Sequence, residues 1–262
     1  MDALVTAGGV PAPGESLYSY SRGEPKALID ICGKPMLQWV LDALEYASKV
    51  EKVIVVGLER RSDIFGSKVV SYLPNQGTML QNLRAGMREA RRLSPKNEHL
   101  LTVSSDIPGI TAEMVDWVIQ EAEKTDEDAY YNVITRQTME KRYPASRRSY
   151  VKFRDVEVCG GDMNVIRSSI GEERDCLWEK IIEARKNALK QAALIGYDTL
   201  FLLLFRLITL EDAVKLVTSR LQITGRALVC PFAEVGMDVD KPSQLEMMRA
   251  DLSQRQAGLS LR

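Results

Sequence analysis

Histidine is almost absent. His99 is the single imidazole in 262 residues, and it stands just before a buried-strand pattern, where a structural role is expected. Histidine-based acid–base or metal chemistry therefore has almost no material to work with. The four cysteines (Cys32, Cys159, Cys176 and Cys230) show no CxxC or His-rich spacing, which argues against a zinc site or a disulfide framework and for reduced packing thiols. Strong charge of one sign is missing too. A net charge of −1 and a pI near 6.1 give no global basic field to draw the chain to nucleic acid or anionic lipid, so any anion binding is local. The start lacks the basic residues and apolar core of a secretion signal, and a cytoplasmic protein is expected. The most apolar stretch, Tyr197 to Leu210, is too short to span a bilayer and contains Asp198 and Arg206. It reads as a buried helix of a helical lobe; a homodimer contact or a pocket for an apolar acceptor are the alternatives. No repeat or low-complexity tract interrupts the chain.

What is present is an α/β rhythm. Short apolar runs alternate with amphipathic stretches, as expected when mostly parallel strands are covered on both faces by crossover helices. Strands are expected at Ala3 to Thr6, Val53 to Val56, Val69 to Tyr72 and Leu100 to Ser104. Helices are expected from Met36, from Thr78 to Arg92, and after Thr111 as N-cap. Beyond Asp126 the pattern changes. Residues 129–135 and 150–158 read as strands flanking a basic loop (Lys141, Arg142, Arg147, Arg148), residues 172–222 as consecutive helices, Ala227 to Cys230 as a strand, and Pro242 as a helix start. The last dozen residues read as a loose tail. The whole suits one domain over residues 1–262, a three-layer α/β/α sandwich with a β-rich segment at 129–160 and a helical annex at 172–222.

Four constellations carry chemistry. The first strand runs into Ala7, Gly8 and Gly9, and the following loop ends in Pro25-Lys26; glycines admit backbone N–H groups to an anion and the lysine adds a point charge, which suggests a polyphosphate site. Asp106 follows the strand ending at Ser104, at the edge where ligands collect in open α/β sheets; a turn or cap carboxylate is the plainer reading. Asn75, Gln76, Gly77 and Thr78 lead into a helix, and their amides can read a base edge, although a turn and cap would look the same. Asp238 and Asp240 lie two apart in a short extended segment, so they are expected to point the same way and converge on a hard cation.

In this order the segments ALVTAGG…EPKALIDICGKPML, NQGTMLQNLRAGM, TVSSDIPGITAEMV and GMDVDKPSQLEMM resemble the MobA-like NTP transferases of the GT-A-like nucleotidyltransferase superfamily, whose relatives include molybdenum-cofactor guanylyltransferase and methylerythritol-phosphate cytidylyltransferase. The resemblance implies a loop over residues 7–26 that wraps a triphosphate, Lys26 as the phosphate lysine, and Asp106 and Asp240 as magnesium ligands, with Asp238 as a further candidate. The loop is longer than is usual for the family. It carries Pro11, Pro13, Tyr18 and Tyr20, with Arg22 as its one arginine, and the extra length is expected to serve the acceptor or act as a lid. The stretch from Gly160 to Asn164 resembles an acceptor-side segment of some relatives.

The implied reaction transfers a nucleoside monophosphate from an NTP to a small-molecule acceptor, with magnesium as cofactor and pyrophosphate as the leaving group. A phosphorylated acceptor is already ionised at neutral pH and needs no strong base, in keeping with the scarcity of histidine. Two other readings stay open. A GT-A glycosyltransferase would use a nucleotide-sugar, but its usual DxD is broken here by Ser104, and a non-catalytic nucleotide-binding regulatory protein is compatible with the altered loop.

Overall fold

A computed structural model of the chain describes residues 1–170, 202–203 and 205–260. Its centre is β1 (Asp2–Thr6), whose run of apolar residues is buried because it is flanked on both edges and covered on both faces. β1 pairs in parallel with β4 (Val53–Val56) and with β6 (His99–Ser104), and β4 pairs with β5 (Val69–Leu73). Beyond β6 the direction reverses. β10 (Met163–Arg167) lies antiparallel to β6 and to β7 (Ala129–Thr135), and β7 pairs in parallel with β11 (Gly225–Val229). β9 (Glu157–Gly160) and β8 (Val151–Lys152) complete a nine-stranded sheet among the described residues. The small hairpin of β2 (Asp30–Ile31) and β3 (Lys34–Pro35) stands apart, its turn made by Cys32 and Gly33, both at positive φ.

Alternation of side chains along β1 divides the core into two layers. Ala3 and Val5 pack with α2 (Met36–Tyr46), α4 (Ala112–Ala122) and α7 (Pro242–Ser260), whereas Leu4 joins Ile54, Val56, Met87 and Ala90 under α3 (Met79–Leu93). Helix α3 comes so close that a Cβ on Gly86 would overlap the Leu4 side chain, which is why glycine occupies a mid-helix position despite its cost. The expected three-layer sandwich is the observed one.

Three expectations need correction. The segment 150–158 is two short strands, and β10 extends the pairing beyond it; β9 and β10 form one interrupted strand, because Gly161 and Asp162 bulge out between two stretches that both pair with β7. The basic loop is partly helical, as α5 (Arg136–Arg142). The expected loose tail is instead the end of α7, which continues to Ser260 because Leu252 is buried beneath it. Of the expected helices at 172–222 the described residues contain α6 (Leu210–Leu221), while Cys176 and, of the run from Tyr197 to Leu210, residues 197–201 and 204 lie outside them. Within that run Phe205 is 56% and Leu207 54% exposed, and neither belongs to a buried helix. No described helix is long and apolar enough to cross a membrane.

Candidate active site

The site forms along the C-terminal ends of β1 and β6. Gly8 leaves β1 against Gly57, which has φ +95° and no room for a Cβ because the Gly8 backbone occupies it. Asn75 donates from Nδ2 to the Gly8 carbonyl at 3.0 Å and accepts on Oδ1 from the Gly77 N–H and from Asn82 Nδ2. The buried Asn82 accepts the Gln76 N–H at 2.7 Å, and Thr78 caps α3 by accepting from the Gln81 N–H. The two asparagines thus tie the second loop to the glycine turn. The Gln76 amide is turned to the Pro74 carbonyl, a contact of the loop with itself.

The long first loop closes where the Lys26 N–H donates to the Gly9 carbonyl at 2.8 Å, and buried Leu17 anchors its middle beside the short helix α1 (Tyr18–Ser21). Between loop and sheet lies a cleft of about 370 Å³ lined by Gly9, Val10, Pro11, Leu17, Lys26 and Asp240. Arg22 is not among its walls. It takes a left-handed conformation at the end of α1 and lines a separate surface cleft with Tyr20, Asp30 and Arg61, so the structure does not bring it to Lys26.

Lys26 is the hub. Its Nζ lies 2.6 Å from Asp106 Oδ2 and 2.6 Å from Asp240 Oδ1. The Ser105 N–H bonds the Thr6 carbonyl and the Val239 N–H bonds the Asp106 carbonyl, which fixes both carboxylates at the sheet edge. The Gln244 side chain accepts the Asp240 and Lys241 N–H groups and caps α7, with Pro242 at its first position. Burial alone would lower the Lys26 ammonium, but Asp106 first and Asp240 second outweigh it and hold the pKa above its usual value.

A third carboxylate was not foreseen as a site residue. The bulge at Gly161–Asp162 is pinned by the Gly161 N–H to Asn132, the Asp162 N–H to Val235 and the Asp162 carbonyl to Ser104. It leaves Asp162 Oδ2 buried and without a partner, as is Asp106 Oδ1. Burial, then the charges of Asp106 and Asp240, push the Asp162 pKa up to about 7. The two glycines before Asp162 were the signal available in the sequence.

Asp238 does not converge with Asp240. Residues 237–240 follow the 3-10 turn Ala233–Gly236 without forming a strand, and Asp238 pairs with Arg148 while Asp240 faces Lys26. His99 is structural, bonded through Nε2 to the Glu127 carbonyl at 2.8 Å with its ring edge to Tyr130. Glu98, His99 and Asp126 approach one another there, but Arg167 already holds Glu98, Asp126 and Asp128. Cys32, Cys159 and Cys230 are free thiols, and burial pushes Cys230 up to about 12.

Known proteins share this fold. A solved structure described as a hypothetical transferase from Thermus thermophilus superposes with a TM-score of 0.80 at 29% identity, covering 93% of this chain and 98% of that one. A CMP-2-keto-3-deoxy-manno-octonic acid synthetase solved with CTP shares the fold, with a TM-score of 0.62 at 17% identity and coverage of 97% and 98%. In sequence, the bifunctional protein GlmU of Thermoanaerobacter pseudethanolicus is 32% identical over 128 residues, 46% of this chain and 26% of that protein. A protein of Pyrococcus horikoshii named "Probable molybdenum cofactor guanylyltransferase" is 28% identical over 122 residues, 45% of this chain and 55% of that one. The matches thus span from about a quarter to about half the length of these curated relatives. The profile of the MobA-like NTP transferase domain matches residues 3–173, most of the chain, and the protein belongs to that family.

Proposed function

We propose that the protein transfers a nucleoside monophosphate from an NTP to a small, phosphorylated acceptor and releases pyrophosphate. The observation that carries this reading is the double contact of Lys26 Nζ with Asp106 and Asp240 at the mouth of a glycine-rich loop. Three carboxylates, Asp106, Asp162 and Asp240, act on one ammonium, and two of them keep a buried oxygen with no partner. An all-oxygen, acid-rich set of this kind fits a hard divalent cation, and Asp106 and Asp240 are the residues to hold magnesium. Magnesium, when bound, supplies neutralisation of the charge on the phosphoryl oxygens.

The chain's own residues do the rest. Backbone N–H groups of the loop from Ala7 to Gly9 cradle phosphate oxygens, and Lys26 releases the carboxylates and turns its flexible stem to the departing pyrophosphate. An acceptor phosphate oxygen forms the new bond to the α-phosphorus as the α–β bond breaks, with pyrophosphate taking the electron pair. Being ionised already, it needs no histidine, and His99 is remote from the centre in structural use. The Asn75–Asn82 clamp supports the loop that faces the base. The test is pyrophosphate release with each of the four NTPs, magnesium and a panel of phosphate monoesters. Release that depends on one base and on Asp106 supports the reading, with Asp106→Asn slower by about 10²-fold or more. Undiminished release by that variant contradicts it, and consumption of a nucleotide-sugar instead would point to glycosyl transfer.

A further inference from the structure

The segment that delivers Asp240 carries a second acid with a partner of its own. Residues 237–240 have no regular structure. Met237 and Val239 are fully buried in the main core, and main-chain bonds fix the segment at three points. The Met237 N–H donates to the Glu234 carbonyl at 3.2 Å, the Val239 N–H to the Asp106 carbonyl at 2.9 Å, and the Asp240 N–H to Gln244 Oε1 at 2.9 Å. Asp238 is held through its side chain instead. Its carboxylate is 16% exposed and pairs with Arg148, which is covered to the same degree.

The loop between α5 and β8 is shaped to bring that guanidinium inward. Tyr143 and Ser146 are buried, and the Ser146 N–H closes a turn on the Tyr143 carbonyl at 3.0 Å. Arg147 then takes a left-handed conformation at φ +48°, which is unfavourable for a residue with a Cβ. Its own side chain is exposed, and the next one, Arg148, turns in. The Cys159 thiol of β9 faces the same guanidinium. Three segments remote in sequence thus meet on one side chain.

A covered ion pair is a costly source of stability, because apolar side chains of similar volume often serve as well or better. Breaking it is costlier still, since one charge is then left covered and alone. Without Arg148 the Asp238 carboxylate would turn to water and draw residues 237–240 with it. Asp240 is two positions further on.

We infer that Arg148 is a positioning residue of the metal centre, acting through Asp238 to set Asp240 where it and Asp106 face the same cation. This rests on the reading of Asp106 and Asp240 as the magnesium ligands of nucleotidyl transfer. The sign of the effect separates positioning from charge. Removing a cation beside an acidic centre would, by charge alone, tighten the binding of a metal ion. Displacing one of its ligands weakens it.

The experiment titrates manganese(II), a substitute for magnesium at oxygen sites, into the full-length protein without nucleotide and follows it by electron paramagnetic resonance. Circular dichroism and melting in the same preparations establish that each variant is folded. Arg148→Met is expected to bind manganese at least about tenfold more weakly than the parent. Should that variant not fold, Arg148→Lys takes its place: it keeps the charge and loses the planar fork, so it too is expected to bind more weakly, where charge alone predicts no change. The same substitution made on Asp240→Asn is expected to cost nothing further, because the ligand through which it acts is already gone. Tighter or unchanged binding in the folded variant overturns the inference, as does an equal loss on the Asp240→Asn background or a parent protein that binds no manganese. Pyrophosphate release by the parent with the four NTPs is followed separately. Its absence would overturn nucleotidyl transfer and leave the manganese result standing.

Discussion

Lys26 and Asp240 are separated by 214 positions in sequence, yet Nζ and Oδ1 lie 2.6 Å apart, with Asp106 at the same distance on the other side. The ammonium sits where a divalent cation would serve the same two acids. Replacing it with a neutral isostere therefore has opposite effects on two measurements. Lys26→Met is expected to bind magnesium alone more tightly than the parent protein, by about tenfold or about 1.4 kcal/mol, because competition is removed. The same variant is expected to release pyrophosphate about 10²-fold more slowly, because the leaving group loses its counter-charge. Weaker magnesium binding in Lys26→Met would contradict this arrangement.

Asn82 holds the loop proposed to face the nucleotide. It is 4% exposed and bonds both the Gln76 N–H and Asn75, which in turn bonds Gly8. Asn82→Ala leaves those groups unsatisfied and is expected to cost about 1–3 kcal/mol in chemical denaturation. NTP affinity should fall along with it. A variant of unchanged stability would show that water replaces the amide without loss.

Much of this was legible from the chain alone, and the reasons differ by segment. β4 was readable because a strand covered on both faces has little polar interruption, and Thr78 is the N-cap its sequence position suggested. Lys26, Asp106 and Asp240 were readable as separate motifs, and their meeting depends on β1 lying between β4 and β6. Asp162 was hidden because Gly160-Gly161 has the local appearance of a loop, whereas long-range pairing with β7 makes it a bulge in a strand. Asp238 was misread because side-chain alternation holds only in extended backbone, and the turn Ala233–Gly236 delivers a loop instead. The end of α7 is polar in composition and gains its order from burial of Leu245, Met248 and Leu252.

Asp162 makes stability depend on pH. Its carboxyl has an ordinary value of 3.8 in the unfolded chain and about 7 in the folded one, so between these the folded state binds the extra proton. Stability is therefore highest at the acid end of that window and declines as pH rises from about 4 to about 7, levelling off above it. Asp162→Asn keeps a neutral group at every pH. It is expected to raise the melting temperature relative to the parent at pH 8 and to gain less at pH 5, in magnesium-free thermal scans. An equal gain at both values would show that Asp162 is not the titrating group.

Glu234 braces the turn that leads to Asp240. At 6% exposure it accepts from Arg142 of α5 at 2.9 Å and from Arg255 of α7 at 3.2 Å, and Arg255 also donates to the Gly109 carbonyl beyond Asp106. Glu234→Ala is expected to cost about 1–3 kcal/mol, the two guanidiniums keeping Asp251 as partner. Turnover is expected to fall more than NTP affinity, because the substitution loosens the approach of Asp240 and leaves the glycine loop intact. Comparison of kcat with the NTP KM checks that split.

The most direct measurement of the central claim is calorimetric titration of each NTP, with and without magnesium, into the protein and into its Asp106→Asn and Asp240→Asn variants. At least one NTP is expected to bind the parent only with magnesium, and each substitution is expected to weaken that binding at least about tenfold while leaving the fold intact. Equal binding by all three proteins, with or without the cation, would contradict a centre built from Lys26, Asp106 and Asp240.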